Sequence, residues 1–358
     1  MWKIHVQLYF GKDAERYRER FRTGAEPDET PYGFHLAAEA GHSVSFSRDV
    51  KRGVVAKVVD RLMGFDFLHA WNNRAAIAAA DVIWTMTEGE AFGAAMLMKA
   101  GIVPRKPIIS TSIWLFNRWD LLPFWRHAFY RYLAEEISVM CVHSVECLPV
   151  AQRAFPNLRC ELMHFGINTQ YFTVQRPRVS SGAVTHIVAA GNDQTRDWDT
   201  LIQAFGSDKR FRLTLACAWL PASRTARHKN VTLVKPKTMD ELRDLYRSAD
   251  IIAVPMKENV FSGITVALEA AALGKPVLSS RTGGVPTYFD EDEVLYAPPR
   301  DPKALRDAVL NSTPSSLQAL ASKAQERLTK ADYSTYGLIS RYSRITQDVF
   351  ALSNDTTQ

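Results

Sequence analysis

The apolar positions of this chain come in short runs, separated by polar turns and by longer stretches with helical spacing. Trp2 to Phe10 alternates enough to predict a first strand, and the charge-dense residues 11–30 predict an exposed excursion after it. Residues 31–48, PYGFHLAAEAGHSVSFSR, predict a helix, a Gly-His turn and a second strand. Residues 49–80 are mixed, with an Ala-rich helix over 74–80. The runs at 81–87, 106–111 and 137–143 read as buried strands, and Ser144 opens a helix after the last of them. Buried strands alternating with helices are the signature of a doubly wound parallel sheet.

The pattern breaks at residues 173–184, TVQRPRVSSGAV, whose Pro, Ser and Arg content marks a linker. It then restarts with a strand over 185–191, a loop and helix to Phe205, strands at 211–218 and 231–236, a helix over 238–249 and a strand at 250–256. Three more helices follow, over 301–310, to about Lys330, and from about Tyr333 to Leu352. The expected organisation is a first domain over 1–172, the linker 173–184, a second domain over 185–332, and a terminal helix and tail over 333–358. A length of 358 residues suits two domains of ordinary size.

The most informative stretch is NVFSGITVALEAAALGKPVL, Asn259 to Leu278. Ser262 and Gly263 stand where an N-cap and a close backbone approach fall. A small-residue helix is expected over Ile264–Leu273, with Gly274 as a left-handed terminator and Lys275-Pro276 ending it before a strand. The one charge inside this apolar helix is Glu269, and a buried carboxylate is costly unless something polar meets it. Two readings stand. The helix N-terminus at Ser262, Gly263, Ile264 and Thr265 offers amides to a phosphate while Glu269 accepts the hydroxyls of a ribose. Alternatively, Glu269 pairs with an Arg or Lys from elsewhere in the chain.

Composition narrows the classes without choosing among them. Hydrophobic content of 46% with 23% charged residues is that of a soluble globular protein. The formal charge of +6 is spread, with 20 Lys or Arg against 18 Asp or Glu over residues 1–172, so there is no nucleic-acid footprint. Cys141, Cys147, Cys160 and Cys217 show neither a C-x-x-C pair nor metal-like spacing, and predict reduced thiols in a cytosolic protein. No signal peptide and no spanning segment is expected. No P-loop, nucleophile set or metal cluster stands out.

LEAAALGKPV resembles the donor-binding signature of GT-B glycosyltransferases of the family 4-like type, the group 1 glycosyl transferases, whose usual form is E-x7-E. The likeness is strong over about residues 161–310, including a crossover segment around His164-Phe165-Gly166-Ile167-Asn168. Phe261 stands eight before Glu269, where the family carries its sugar-facing acid; the nearest upstream acid is Glu258. The resemblance implies two Rossmann-like doubly wound domains facing a central cleft, with the C-terminal helix crossing back to the first domain. It implies a nucleoside-diphosphate sugar as co-substrate, no further cofactor and no metal. The family's diphosphate-neutralising loop falls on Gly191, Asn192 and Arg196, and its nucleobase loop on Val234-Lys235-Pro236. Gly283 and Gly284 suggest a close backbone approach near the donor, or a plain turn.

The catalytic group is the least defined. The family's His position after a first-domain strand holds Ser112, which leaves Glu88 and Glu90, at a strand end, as polar groups aimed at a cleft. Acids are equally expected there as ordinary helix N-terminal residues. Glu88 and Glu258 are the catalytic candidates, while His69 and His143 read as packing histidines. Trp114–Leu133, rich in Trp and Arg, suits either a peripheral membrane contact or an amphipathic connector packed on the first domain. The expected activity is transfer of a sugar to a glycan or lipid-linked acceptor with retention of configuration, in the cytoplasm or at the inner membrane face. The alternatives are a non-catalytic nucleotide-sugar or glycan-binding subunit of a complex, and a GT-B epimerase or phosphorylase.

Overall fold

The computed structural model describes residues 1–51, 53–172 and 184–355. The chain divides into two units, each built on one six-stranded parallel sheet. The expected linker lies, except for Val184, outside the described residues. The first unit comprises Met1–Thr23, Asp28–His164 and Tyr336–Gln358; the second comprises Gly24–Pro27 and Phe165–Thr335. The division falls at His164/Phe165, before the expected boundary at 172, because Phe165 and Ile167 already bond to the second unit: Phe165 N donates to Tyr288 Oη at 2.7 Å and Ile167 N to the Tyr333 carbonyl at 3.1 Å.

In the first unit the elements run β1 (Lys3–Gln7), α1 (Ala14–Arg22), α2 (Leu36–Glu39), β2 (Ser43–Phe46), α3 (Val54–Met63), α4 (Phe67–Asn72), α5 (Arg74–Ala79) and β3 (Val82–Thr85). They continue with α6 (Glu88–Lys99), β4 (Ile108–Ser112), α7 (Phe124–Ala134), β5 (Val139–Val142), α8 (Cys147–Ala154) and β6 (Cys160–Leu162). The strand order β2-β1-β3-β4-β5-β6 reverses direction between β1 and β3, so a crevice is expected beyond their carboxyl ends. β3, β4 and β5 are buried on every residue, as strands covered on both faces must be, and the buried hydroxyls of Thr85, Ser110 and Ser112 are hydrogen-bonded.

The charged excursion after β1 is built around a helix, α1, most of whose residues are exposed. Asp13 caps α1 by accepting from the amides of Glu15 and Arg16, and Arg20 and Arg22 sit in its last turn, where cations suit the helix dipole. The helix expected after Pro31 is reduced to a 3-10 turn, Pro31–Gly33, and the four residues of α2.

The second unit runs β7 (Thr185–Ala190), α9 (Trp198–Phe205), β8 (Phe211–Ala216), β9 (Val231–Val234), α10 (Met239–Ser248), β10 (Ile251–Val254) and α11 (Ile264–Ala272). It ends with β11 (Val277–Ser280), β12 (Leu295–Ala297), α12 (Pro302–Leu310) and α13 (Pro314–Lys330). The order β12-β11-β10-β7-β8-β9 puts the reversal between β7 and β10. The last helix, α14 (Thr335–Asp355), returns the chain to the first unit, as expected. There Trp84 Nε1 donates to Thr346 Oγ1 at 3.0 Å and Tyr342 Oη to the Thr85 carbonyl at 2.7 Å, which pairs two buried polar groups that would otherwise be costly.

Candidate donor and acceptor sites

The loop after β10 is shaped around Asn259. Its Oδ1 accepts from the amides of Phe261 at 3.0 Å and Ser262 at 2.7 Å, and its carbonyl accepts from Gly283 N at 3.0 Å. This brings the β11 turn against the mouth of α11, where Gly284 N donates to the Ser262 carbonyl at 2.9 Å. Side chains are excluded here: a Cβ on Gly283 would lie 2.7 Å from Asn259 Oδ1, and one on Gly284 would collide with Ile264. Gly283 and Gly284 thus make a close approach of backbone to backbone.

Ser262 is not the N-cap of α11. Gly263 is, at φ +96°, and no side chain caps the helix. A residue with a Cβ at Gly263 would be strained and would press on Val285 and Val254 at 2.9 and 3.0 Å. The helix therefore opens with uncapped amides at Ile264 and Thr265, Thr265 being exposed, beside a buried Ser262 hydroxyl that has no partner. A helix end arranged this way suits an anion. The far end follows the expected scheme: Gly274 at φ +64° terminates α11, and Lys275 N donates to the Ala270 carbonyl at 2.9 Å.

On the other side of the reversal point, Gly191 ends β7 and Arg196 folds back over it, so that a Cβ on Gly191 would strike the guanidinium. Arg196 is 4% exposed and is held by a bridge to Met256. Its Nη2 donates to Asp193 Oδ2 at 3.1 Å, while Nε and Nη1 are buried without a partner. Asn192 is exposed, and both its oxygens are engaged: its Oδ1 accepts from Ala218 N at 2.8 Å and its carbonyl from Trp219 Nε1 at 3.0 Å. That clamp joins the β7 and β8 loops and leaves Trp219 half exposed at the sheet's carboxyl edge.

Glu269 is 5% exposed, and burial pushes its carboxyl up to about 8, opposed by Tyr246 and by the positive charge of Arg196. Tyr246, buried on α10, faces this carboxyl but falls short of a well-formed hydrogen bond. The protein groups that meet Glu269 are Tyr246 and, through its charge, Arg196, two of whose nitrogens are still unspent. Neither Tyr246 nor Asp193 was legible as part of this set, because a Tyr in an amphipathic helix and an Asp in a loop carry no distinguishing spacing.

Two expected groups are at the surface. Glu258 is exposed and forms an ion pair with Arg300 Nε at 2.8 Å; a hydrogen bond from its own backbone, and then Arg300, lower its pKa. Lys235 is exposed just beyond β9, an edge strand.

In the first unit, Glu88 opens α6 and meets the end of β4. Its Oε2 accepts from Ser112 Oγ and from Ile113 N, both at 3.0 Å, so the two polar groups proposed from sequence are brought together. Glu90 is buried and accepts from Thr87 Oγ1; burial raises its carboxyl to about 8, with the Glu88 charge acting the same way. Tyr32, at φ +57°, lies near it and bonds to Tyr9. His69 Nε2 donates to the Leu8 carbonyl at 3.0 Å and His143 Nδ1 to that of Met163 at 2.7 Å, and both rings are buried as packing residues. Trp114–Leu133 divides: Leu115, Phe116, Trp119, Tyr130 and Leu133 are core, whereas Trp114, Leu121, Phe124 and Trp125 are exposed.

Residues 184–313 match the profile of the family described as Glycosyl transferases group 1. Among curated proteins, D-inositol 3-phosphate glycosyltransferase of Corynebacterium jeikeium is 38% identical over 105 residues, 29% of this chain and 23% of that protein. The enzyme of the same name from Mycobacteroides abscessus is 31% identical over 131 residues, 36% of this chain and 29% of that protein. These matches span less than a third of each relative's length. Among solved structures, sucrose-phosphate synthase from Thermosynechococcus elongatus superposes with a TM-score of 0.74 at 17% identity, covering 98% of this chain and 100% of that one. Anabaena HepE in complex with UDP-glucose gives 0.69 at 12% identity, covering 97% and 100%. The fold is the GT-B fold of these neighbours, and the group 1 resemblance of Asn259–Leu278 extends over residues 184–313.

Proposed function

We propose that this chain is a glycosyltransferase that moves a sugar from a nucleoside-diphosphate donor to a glycan or lipid-linked acceptor. The observation that carries the reading is a set of unspent polar groups at the β7/β10 reversal: the uncapped amides of α11, the two partnerless nitrogens of Arg196 and the buried Glu269. The diphosphate takes the amides and the guanidinium, the ribose hydroxyls take Glu269, and the base lies toward Trp219 and Lys235. The HepE complex with UDP-glucose and the relatives named as glycosyltransferases support a nucleotide sugar as the donor.

In the reaction, the bond from sugar C1 to the β-phosphate oxygen breaks and its electron pair leaves with the nucleoside diphosphate. A bond from C1 to an acceptor hydroxyl oxygen forms, and that hydroxyl gives its proton to the departing diphosphate. Preorganised amides and a guanidinium that meet the developing diphosphate charge are the largest expected catalytic contribution. They need no metal in this reading, and retention of configuration follows from the resemblance. Glu88, held by Ser112, is the catalytic candidate of the first unit, while Glu258 would have to leave Arg300 to take part. The site of action is the cytoplasm, with peripheral membrane contact through Trp114–Leu133.

Phe261 in the sugar-facing position and the surface ion pair of Glu258 favour a second reading, a nucleotide-sugar-binding subunit without turnover. The test is incubation with UDP-, GDP-, ADP- and CDP-sugars, with and without glycan, inositol phosphate and polyprenyl phosphate acceptors. Acceptor-dependent release of nucleoside diphosphate with a glycosylated product is the expected outcome. An altered nucleotide sugar without acceptor would make the protein an epimerase, and binding without turnover would make it a binding subunit.

A further inference from the structure

The outer face of α3 is apolar, contrary to what a surface helix presents. Val54, Val58 and Leu62, four residues apart, are 80%, 63% and 67% exposed. The start of α7 carries a second such set: Leu121 and Phe124 are 83% and 84% exposed, and Trp125 is 44%. Single exposed apolar residues are ordinary, but a contiguous group of large ones marks an interaction surface.

The two sets are joined through one guanidinium. Arg126 Nη2 donates to the carbonyls of Arg61 at 2.9 Å and Leu62 at 3.4 Å, closing the C-terminal end of α3. The same group lies 5.1 Å over the Trp125 ring, and Tyr130 Oη donates to the Met63 carbonyl at 3.2 Å. The end of the Val54–Leu62 stripe is therefore fixed beside the first turn of α7. Around it, Lys51, Arg61 and Arg118 are exposed. Of the acids in these segments, Asp66 is engaged as the cap of α4, Asp60 is half-buried, and Asp120 is exposed.

We propose that α3 and the start of α7 form a single docking surface for an anionic phospholipid membrane. This deepens the membrane contact assigned above to Trp114–Leu133 by making α3 its second half, and it does not depend on the donor site. The valines, Leu62, Leu121 and Phe124 enter the boundary between headgroups and acyl chains, Trp125 lies at headgroup level, and the cations meet lipid phosphates. A second copy of the chain would cover the apolar residues but would bring the same cations together, whereas anionic headgroups complement them.

The test is flotation of the whole protein with phosphatidylcholine vesicles, with and without phosphatidylglycerol. Association is expected with phosphatidylglycerol present, weakening as salt screens the cations. Val58→Asp and Phe124→Asp, at positions too exposed to disturb the core, are each expected to reduce it by about tenfold. The thermal midpoint and nucleotide binding of both variants should match the parent, which separates loss of this surface from failure of the donor-site reading. Absence of flotation with phosphatidylglycerol vesicles would overturn the proposal. So would a dimer, measured by light scattering, that the same substitutions dissolve.

Discussion

At the scale of the residue, Glu269 is one of two buried carboxyls on which the pH behaviour turns. In the unfolded chain its carboxyl ionises near the ordinary value of 4.5, whereas in the fold it keeps its proton up to about 8. Its contribution to stability is therefore complete below the unfolded value and is lost as pH rises through about 8. Glu90 titrates with the same sign, so the Glu269 part is read as a difference between variants. In the absence of nucleotide, the thermal midpoint of the parent should fall relative to Glu269→Gln as pH is raised from about 5 to about 8. A gap that stays constant with pH would contradict a neutral buried carboxyl. Glu269 was legible in the sequence because a single charge in a helix of Ala, Leu and Val is costly wherever it is buried. What meets it was not, since Tyr246 and Arg196 reach it from separate elements and only the fold brings them together.

At the scale of the element, α11 is the best-read helix and α3 the least. The Gly274 terminator and the Lys275-Pro276 stop express local conformational preference, which acts whatever the surroundings. The start of α11 was misread at Ser262, since Gly263 takes the cap position in a left-handed conformation that Asn259 and the β11 turn enforce. Gly263→Ala should cost about 1–3 kcal/mol from backbone strain and contact with Val285 and Val254. It should also weaken nucleotide binding by displacing the first amides of α11, so calorimetry and thermal unfolding should move together. An alanine variant with parental stability and affinity would show that this turn is not rigid. The helices α1 and α3 escaped for opposite reasons. α1 is held by its Asp13 cap and favourable end charges and has little apolar stripe to detect. The apolar stripe of α3 points to solvent, so it does not mark a buried face. The three-residue strand β12 is too short to show a period.

At the scale of the whole molecule, the alternation of buried strand and helix carried most of the reading. It yields two parallel sheets because only a crossover helix returns the chain to a parallel neighbour. The strand orders, and hence the two reversal points, are not legible from the alternation itself, and the resemblance of Asn259–Leu278 implies only that both sheets are doubly wound. Placing Glu88 beside Ser112 at one sheet's carboxyl edge and Arg196 beside Glu269 at the other follows from that topology.

The central claim is that the β7/β10 reversal binds a nucleoside diphosphate through Arg196, α11 and Glu269. Isothermal titration calorimetry with UDP, GDP, ADP and CDP, on the parent and on Arg196→Ala and Glu269→Ala, tests it most directly. The account predicts that one nucleotide binds the parent and that each substitution weakens it by about tenfold or more, the loss of a hydrogen-bonded contact. Failure of all four to bind, or undiminished binding by both variants, would contradict it.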